Sequence, residues 1–428
     1  MNLERGMVMS KTIWKNKDLI DVSILIKDGT HGTHKDVPDG IPLLSAKDIK
    51  NGALEIPFYC RKITLDDYKQ IHTTYEIAKD DLLLTIVGTI GRVAIVTNTF
   101  NKFTFQRSVA IIRLNKHQIL PTYAFHYFQS EKFQRVLLRK ESASAQGGVY
   151  LGELGKTKIH FPEDIKEQSN IAQILTTCDK VIEQTEAAIN KYKAIKQGML
   201  HDLFTRGLDE NGKLRPTPSE APDLYKESEL GLIPKDWEVH TLGECCKTPC
   251  SYGINAPAVN YNSRLPLYLR ITDITENGAY NKNDRKCVDA PTAHQYVLNE
   301  GDIVFARTGA TVGKTYLYNS QDGILIYAGF LIKFSPNKNI LDSYLLKSYT
   351  ETDSYWNWVN TYSQRSGQPG INGNEYSSLL LPCPKIEEQN KITTIFASMD
   401  QKIQGEEILL NKQKLVKKSL MKILLNNN

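Results

Sequence analysis

Gln168-Ser169-Asn170-Ile171-Ala172-Gln173-Ile174-Leu175 in mid-chain and Gln389-Asn390-Lys391-Ile392-Thr393-Thr394-Ile395-Phe396 near the end open two copies of one pattern. In the first copy apolar residues stand at Ile171, Leu175, Cys178, Ile182, Ile189, Tyr192, Met199 and Leu203, with Thr185 and Lys196 in the same register. In the second they stand at Ile392, Phe396, Met399, Ile403, Leu410, Leu420 and Leu424. Steps of three and four alternate, which is the heptad seam of a long helix packed along a partner helix. Gln168 and Gln389, Ile171 and Ile392, Asp179 and Asp400, and Leu203 and Leu424 are all 221 positions apart. No Pro interrupts the first copy between Pro162 and Pro216, and Gly198 is its only internal Gly. A helix of roughly forty residues spans about 60 Å. Its stripe must be buried, and the obvious partner is the other copy.

The duplication extends outside the helices. Trp14 and Leu19 begin one unit and Trp237 and Leu242 the other, each followed by a Gly-bearing polar loop, Asp28–Thr33 and Ser251–Ile254. Ile41-Pro42-Leu43-Leu44 leads to Asn51-Gly52, and Leu265-Pro266-Leu267 leads to Asn277-Gly278, a strand entering a turn each time. Asp80–Arg92 and Asp302–Lys314 both read as a short apolar strand, a Gly turn, a basic residue and a new strand. Strands near Ser108–Leu114 and Gly329–Phe334 follow, then aromatic-rich helical stretches at Tyr123–Leu138 and Tyr344–Val359. The expected fold is α+β: two mixed α/β globules of roughly 140 residues in tandem, each closed by a long helix. The boundaries are 1–160 for the first globule, 161–206 for its helix, 207–235 for a Pro- and Gly-rich linker, 236–383 for the second globule and 384–428 for its helix.

At 428 residues the chain has room for two or three domains, and 41% hydrophobic with 24% charged residues is ordinary for a soluble protein. A formal charge of +5 permits nucleic-acid binding without requiring it. Residues Met1–Asp18 lack the apolar core of a signal peptide and no stretch reaches eighteen apolar residues, so the expectation is cytoplasmic, with no membrane partner. Seven scattered cysteines suggest reduced thiols, and Cys245, Cys246, Cys250 and Cys287 lack the paired spacing of zinc sites, so no metal is expected.

Catalytic motifs fit poorly. Gly309-Ala310-Thr311-Val312-Gly313-Lys314-Thr315 has three residues between its glycines where a phosphate-binding loop needs four, and the first copy ends Gly91-Arg92-Val93. A nucleotide hydrolase built on that turn is the weaker alternative. No Pro-Pro pair exists to carry an amino-methyltransferase site. His31 and His34 share a loop with Asp28 and Asp36 that the second copy does not reproduce. What remains is recognition. Two diverged globules on a paired-helix spacer read as two half-site readers on a ruler, since one DNA turn separates equivalent groove faces by about 34–36 Å.

Phe161-Pro162…Gln168…Ile171-Ala172…Asp179, then Gly198-Met199-Leu200…Asp202-Leu203-Phe204-Thr205-Arg206-Gly207, resembles the specificity subunit of type I restriction–modification systems. So does the linker exit, Gly231-Leu232-Ile233-Pro234…Trp237-Glu238-Val239…Leu242-Gly243. The loops Gln146-Gly147-Gly148 and Gln368-Pro369-Gly370 also fit that layout. The resemblance covers essentially the whole chain. It implies two target-recognition domains, two helical regions pairing as an antiparallel coiled coil, and a two-part asymmetric target in double-stranded DNA with one domain per half. It also implies docking of two modification subunits, which use S-adenosylmethionine, and two restriction subunits, which use ATP and Mg. On this reading the chain is a non-catalytic subunit with no cofactor of its own. A modification-only methyltransferase complex is the alternative setting.

Base edges in the major groove are read by Arg or Lys on guanine and by Asn or Gln on adenine, while phosphates take Lys, Arg, Ser and Thr. The candidates at turns and strand ends are Thr30, His31, Thr33, Lys47, Arg92, Gln106 and Arg107 in the first globule. In the second they are Tyr252, Arg270, Arg307, Thr311, Lys314, Gln364 and Arg365.

Overall fold

A computed structural model describes residues 13–97, 102–142, 147–364 and 369–425. Arg365, Gln146 and Gln368 lie outside the described residues. The chain forms two compact units, Met1–Glu186 with Ile408–Asn428, and Ala187–Glu407. The boundary at Glu186 and Ala187 falls inside the first long helix, Ile165–Thr205, and the boundary at Glu407 and Ile408 inside the second, Ile386–Leu425.

The first unit is built on an antiparallel sheet in the order Ser23–Asp28, Val109–Leu114, Leu82–Thr85, Val93–Ile95. Leu82, Leu84, Ala110 and Ile112 alternate onto one face with Tyr123, Tyr127 and Phe133. The alternate residues Leu83, Val109 and Ile111 face a second cluster with Leu44 and Phe105. Both faces are covered, so the two central strands, Leu82–Thr85 and Val109–Leu114, are mostly apolar. A smaller mixed sheet runs Lys62–Ile63, Ile41–Leu44, Thr104–Phe105, and Trp14–Asp18 closes the unit against Lys158–Pro162.

The second unit repeats the plan. Its sheet runs Ser251–Tyr252, Leu331–Phe334, Ile303–Ala306, Thr315–Leu317, and Glu238–Thr241 closes it against Leu380–Cys383. Each aromatic stretch expected as one helix is two: Pro121–Gln129 and Glu131–Ser142 in the first unit, Ser343–Tyr349 and Asp353–Ser363 in the second. The breaks are capped. Ser130 Oγ accepts from Phe133 N, and Thr352 Oγ1 accepts from Tyr355 N.

The repeated glutamines stitch each long helix to its globule. Gln168 accepts from Leu120 N and donates to the Gln118 and Pro162 carbonyls, and Gln389 accepts from Asp342 N and donates to the Ile340 and Pro384 carbonyls. Both side chains are fully buried, so an unpaired amide there carries the full desolvation cost.

The two long helices pair antiparallel, and each unit contains its own segment of the pair. In the first unit Lys417 binds Asp179, and Lys414 binds Glu186 at 2.7 Å. In the second, Lys196 binds Asp400 at 2.6 Å and Lys193 binds Glu407 at 2.7 Å. Rising numbers on one helix meet falling numbers on the other, and the pairs are repeats of one another at the 221-residue offset. Lys196 is buried because it bridges Asp400 and Glu351, the latter at 2.5 Å. Burial works against its charge, but the Glu351 and Asp400 carboxylates outweigh it and raise its pKa.

None of the seam residues is exposed. Ile171, Leu175, Ile189, Leu203, Ile392, Phe396 and Ile403 are buried, and Cys178, Ile182, Tyr192, Met199, Met399, Leu410, Leu420 and Leu424 are half-buried. The seam has a second task. Ile171 and Leu175 join Leu420 and Leu424 in the first globule's core, while Met199, Leu203, Ile392 and Phe396 join the second globule's core. The helix ends bury their stripe against a globule as well as against each other.

The stretch expected as a linker is ordered. Tyr225–Ser228 and Gly231–Pro234 form a hairpin, and Leu208, Tyr225 and Ile233 are buried. Glu388 clamps its two ends. Its carboxylate accepts from Leu208 N at 2.7 Å, from Arg215 at 2.6 and 3.0 Å, and from Trp237 Nε1 at 3.1 Å. Gly207 passes so close that a Cβ there would lie 2.3 Å from Glu388 Oε1 and from the Trp237 ring. The equivalents in the first unit differ. Among the described residues, neither the buried Trp14 Nε1 nor Glu167 has a hydrogen-bond partner.

Candidate nucleic-acid interface

In each unit the Gly loop, the Gly turn and the end of a central strand meet at one end of the sheet on the same backbone frame. Thr30 N donates to the Phe105 carbonyl and accepts, through its own carbonyl, from Arg107 N; Ile254 does the same with Tyr327 and Gly329. Gln106 N binds the Leu44 carbonyl as Ala328 N binds that of Leu269. The turns close alike, Gly91 N on the Thr85 carbonyl and Gly313 N on that of Ala306. Gly29 and Gly253 are required by this frame. A Cβ on Gly29 would lie 2.0 Å from the Phe105 oxygen, and one on Gly253 2.3 Å from the Ala328 oxygen.

The first unit brings most of its candidates together. Thr30 pairs with Gln106 in a bridge, and its Oγ1 bonds His34 Nε2 at 2.8 Å. His31 bonds Asp28 at 2.7 Å while remaining largely exposed. Lys47 is exposed on the short turn Ala46–Asp48, whose Ala46 N donates to Ser108 Oγ, next to Arg107 in sequence. Arg92 reaches the same turn, donating to the Ile49 carbonyl at 3.2 Å. Thr33 and Arg107 are exposed and belong to no ion pair among the described residues.

The second unit separates its candidates. Arg270 is reassigned to holding the fold. Its guanidinium forms a bidentate pair with Asp273 at 2.6 and 2.9 Å, taking the place that Ser45 occupies beside Asp48 in the first unit. Lys314 Nζ lies 2.6 Å from Glu276 Oε1, so its charge is neutralised locally. Thr311 Oγ1 turns back to the Thr308 carbonyl. Tyr252 and Arg307 come together, with the guanidinium carbon 5.0 Å from the ring centroid. Gln364 is exposed at the end of the helix Asp353–Ser363. The Gly309–Thr315 turn runs into the strand Thr315–Leu317, whereas a phosphate-binding loop runs into a helix, so the hydrolase reading is withdrawn.

Sequence reasoning passed over Phe58 and Tyr59, 85% and 93% exposed and edge-on at 4.9 Å, on a loop that Arg61 ties to the His34 carbonyl. Two aromatics after Pro57 in a polar loop were the available signal. It also passed over Arg285, stacked on the exposed Tyr261 at 4.6 Å. Among the described residues no cluster of His, Cys, Asp and Glu is placed to hold a metal ion. No described helix is long and apolar enough to cross a membrane.

These two units, each a mixed-sheet globule with its own segment of paired helix, define a protein built from a tandem repeat of one α+β domain. The family model of the type I restriction modification DNA specificity domain matches residues 13–193 and 234–413, and the chain belongs to that family. Over 422 residues it is 25% identical to the putative type I restriction enzyme MjaX specificity subunit of Methanocaldococcus jannaschii, covering 96% of this chain and 92% of the relative. Over 209 residues it is 29% identical to the type I restriction enzyme EcoBI specificity subunit of Escherichia coli, covering 47% and 42%. Its fold is similar to the crystal structure of the type I restriction-modification S subunit from M. genitalium, with TM-score 0.59, 15% identity and 98% of each chain covered.

Proposed function

We propose that this chain is the non-catalytic specificity subunit of a type I restriction–modification complex, reading a two-part asymmetric sequence in double-stranded DNA with one domain per half-site. The observation that carries this is the duplicated sheet end. One backbone frame occurs twice with different side chains on it: exposed Arg107 with half-buried Thr30 and Gln106 in one unit, and Gly329 with the buried Ile254 and Ala328 in the other. A symmetric scaffold with unlike surfaces suits an asymmetric target. Arg107, Lys47, Thr33 and Arg307 are the candidate contacts that the local structure leaves available to DNA. The long helices dock two modification subunits, whose S-adenosylmethionine serves adenine methylation, and two restriction subunits supply the ATP- and Mg-dependent steps. The adenine leaves the stack to reach the partner's active site, and this subunit holds the duplex around it.

The test is single-molecule sequencing of genomic DNA for modified adenines, with and without this gene and its neighbouring methyltransferase gene. A two-part motif whose methylation disappears with the gene is expected. Gene-independent methylation, together with no DNA binding by the purified complex, refutes the reading.

A further inference from the structure

At one place the two sheet ends differ in a way that packing does not explain. Arg307 occupies the backbone position that Ile86 holds in the first unit. Its N donates to the Phe330 carbonyl at 3.0 Å as Ile86 N does to Ser108 at 2.9 Å, and its carbonyl accepts from Ile371 N as that of Ile86 does from Val149 N, both at 2.9 Å. Ile86 is 3% exposed and part of the core, so the frame is satisfied by an apolar residue. Arg307 is half-buried and lies over the ring of Tyr252, which is 41% exposed and is held by Gly373 N donating to its hydroxyl at 2.8 Å. Tyr252 in turn stands where the first unit has Asp28.

The neighbouring cations are closed off, Arg270 by Asp273 and Lys314 by Glu276. Arg307 is in no ion pair among the described residues. A guanidinium resting on an aromatic face is fixed in orientation while its edge donors stay free. That planar fork matches the O6 and N7 acceptors of guanine in the major groove.

We propose that Arg307, positioned by the Tyr252 ring, reads a guanine in the half-site contacted by the second domain. This rests on the two-part reading above. The first domain has no arginine at this place and reads its half with other side chains. Arg307 supplies the base contact, and Tyr252 is a positioning residue.

The experiment uses the purified complex of the full chain with its modification subunits, on duplexes carrying the methylated motif. Each guanine of the second-domain half is replaced in turn by 7-deazaguanine, which lacks the N7 acceptor. One replacement should weaken wild-type binding at least roughly 5-fold, the low end for a bidentate base contact, and leave Arg307→Ala binding unchanged. Arg307→Lys keeps the charge without the fork. It should weaken this discrimination, because an ammonium neither stacks flat on Tyr252 nor spans O6 and N7 with a planar fork, while retaining the salt dependence of binding. Tyr252→Leu should weaken discrimination at the same base pair and at no other. The proposal is overturned if Arg307→Ala weakens binding to all sequences evenly and responds to 7-deazaguanine as the wild type does, which is the behaviour of a phosphate contact. A half-site without guanine overturns it equally. A two-part motif indifferent to Arg307 refutes only this assignment, whereas absence of any two-part motif refutes the function proposed above.

Discussion

Glu388→Ala and Glu167→Ala alter the same position of the repeat, and the structure assigns them different consequences. Both glutamates lie in the first turn of a long helix, so effects of helix propensity and of the helix dipole cancel between the two variants. Glu388 accepts both nitrogens of Arg215, the indole of the fully buried Trp237 and the Leu208 amide. Removing it leaves a guanidinium whose side chain is 11% exposed without its main counter-charge. Breaking a buried pair by deleting one partner costs about 3–5 kcal/mol. Arg215 keeps Asp236 at 3.0 Å, which argues for the lower end, and the orphaned indole adds about 1 kcal/mol. Glu167 is half-buried with no such partners among the described residues, so Glu167→Ala should stay within about 0.5 kcal/mol. The assay is urea unfolding of the full-length chain, followed by tryptophan fluorescence and circular dichroism. At a slope of about 2–3 kcal/mol per molar urea, Glu388→Ala should lower the midpoint of the second unit's transition by about 1–2 M. Glu388→Gln, which keeps one acceptor oxygen, should fall between. Equal shifts for the two alanine variants would refute the clamp.

Three further outcomes are expected. Gly29→Ala and Gly253→Ala each force a Cβ into a neighbouring carbonyl; each should destabilise its own unit by about 1–3 kcal/mol and impair one half of the target, and a thermal melt unchanged by either would contradict the required close approach. Burial holds the His126 imidazole well below the ordinary histidine value, against the attraction of Asp179, while the unfolded chain takes up a proton near about pH 6.5. A depressed folded pKa gives stability that is present above that pH and lost as pH falls, at about 1.4 kcal/mol per unit of depression, so His126→Gln should flatten the fall in thermal stability below about pH 6.5; an unchanged slope counts against it. Inserting seven residues into both long helices at equivalent places adds about 10 Å to each, and should lengthen the gap between half-sites by about three base pairs. A methylated motif with its original gap would end the ruler idea.

Much of this architecture was legible in the chain itself. The duplication, both long helices, the strand–turn–strand at each Gly turn and the residues of the seam follow from repetition and periodicity, which record the faces an element must bury. Periodicity does not say what buries them. Leu175 and Phe396 read as positions facing another helix, and they are also core residues of the globules. The Pro- and Gly-rich composition of 207–235 reads as a loose connection because its anchor, Glu388, stands more than 170 residues away in sequence. Lys196 looks misplaced in an apolar register until Asp400 and Glu351 are found beside it.

The candidate DNA contacts divide along the same line. Composition and position bring Arg270, Arg307, Lys314 and Arg107 forward as equals, since each is a cation at a turn or strand end. Only tertiary structure distinguishes Arg270 and Lys314, neutralised by Asp273 and Glu276, from Arg307 on its tyrosine and Arg107 in solvent. Sequence alone determined that two like domains share a helical pair, because local periodicity and repetition are properties of the chain. Which charges face outward was decided by the fold, because an ion pair depends on distance through space and not on separation along the chain.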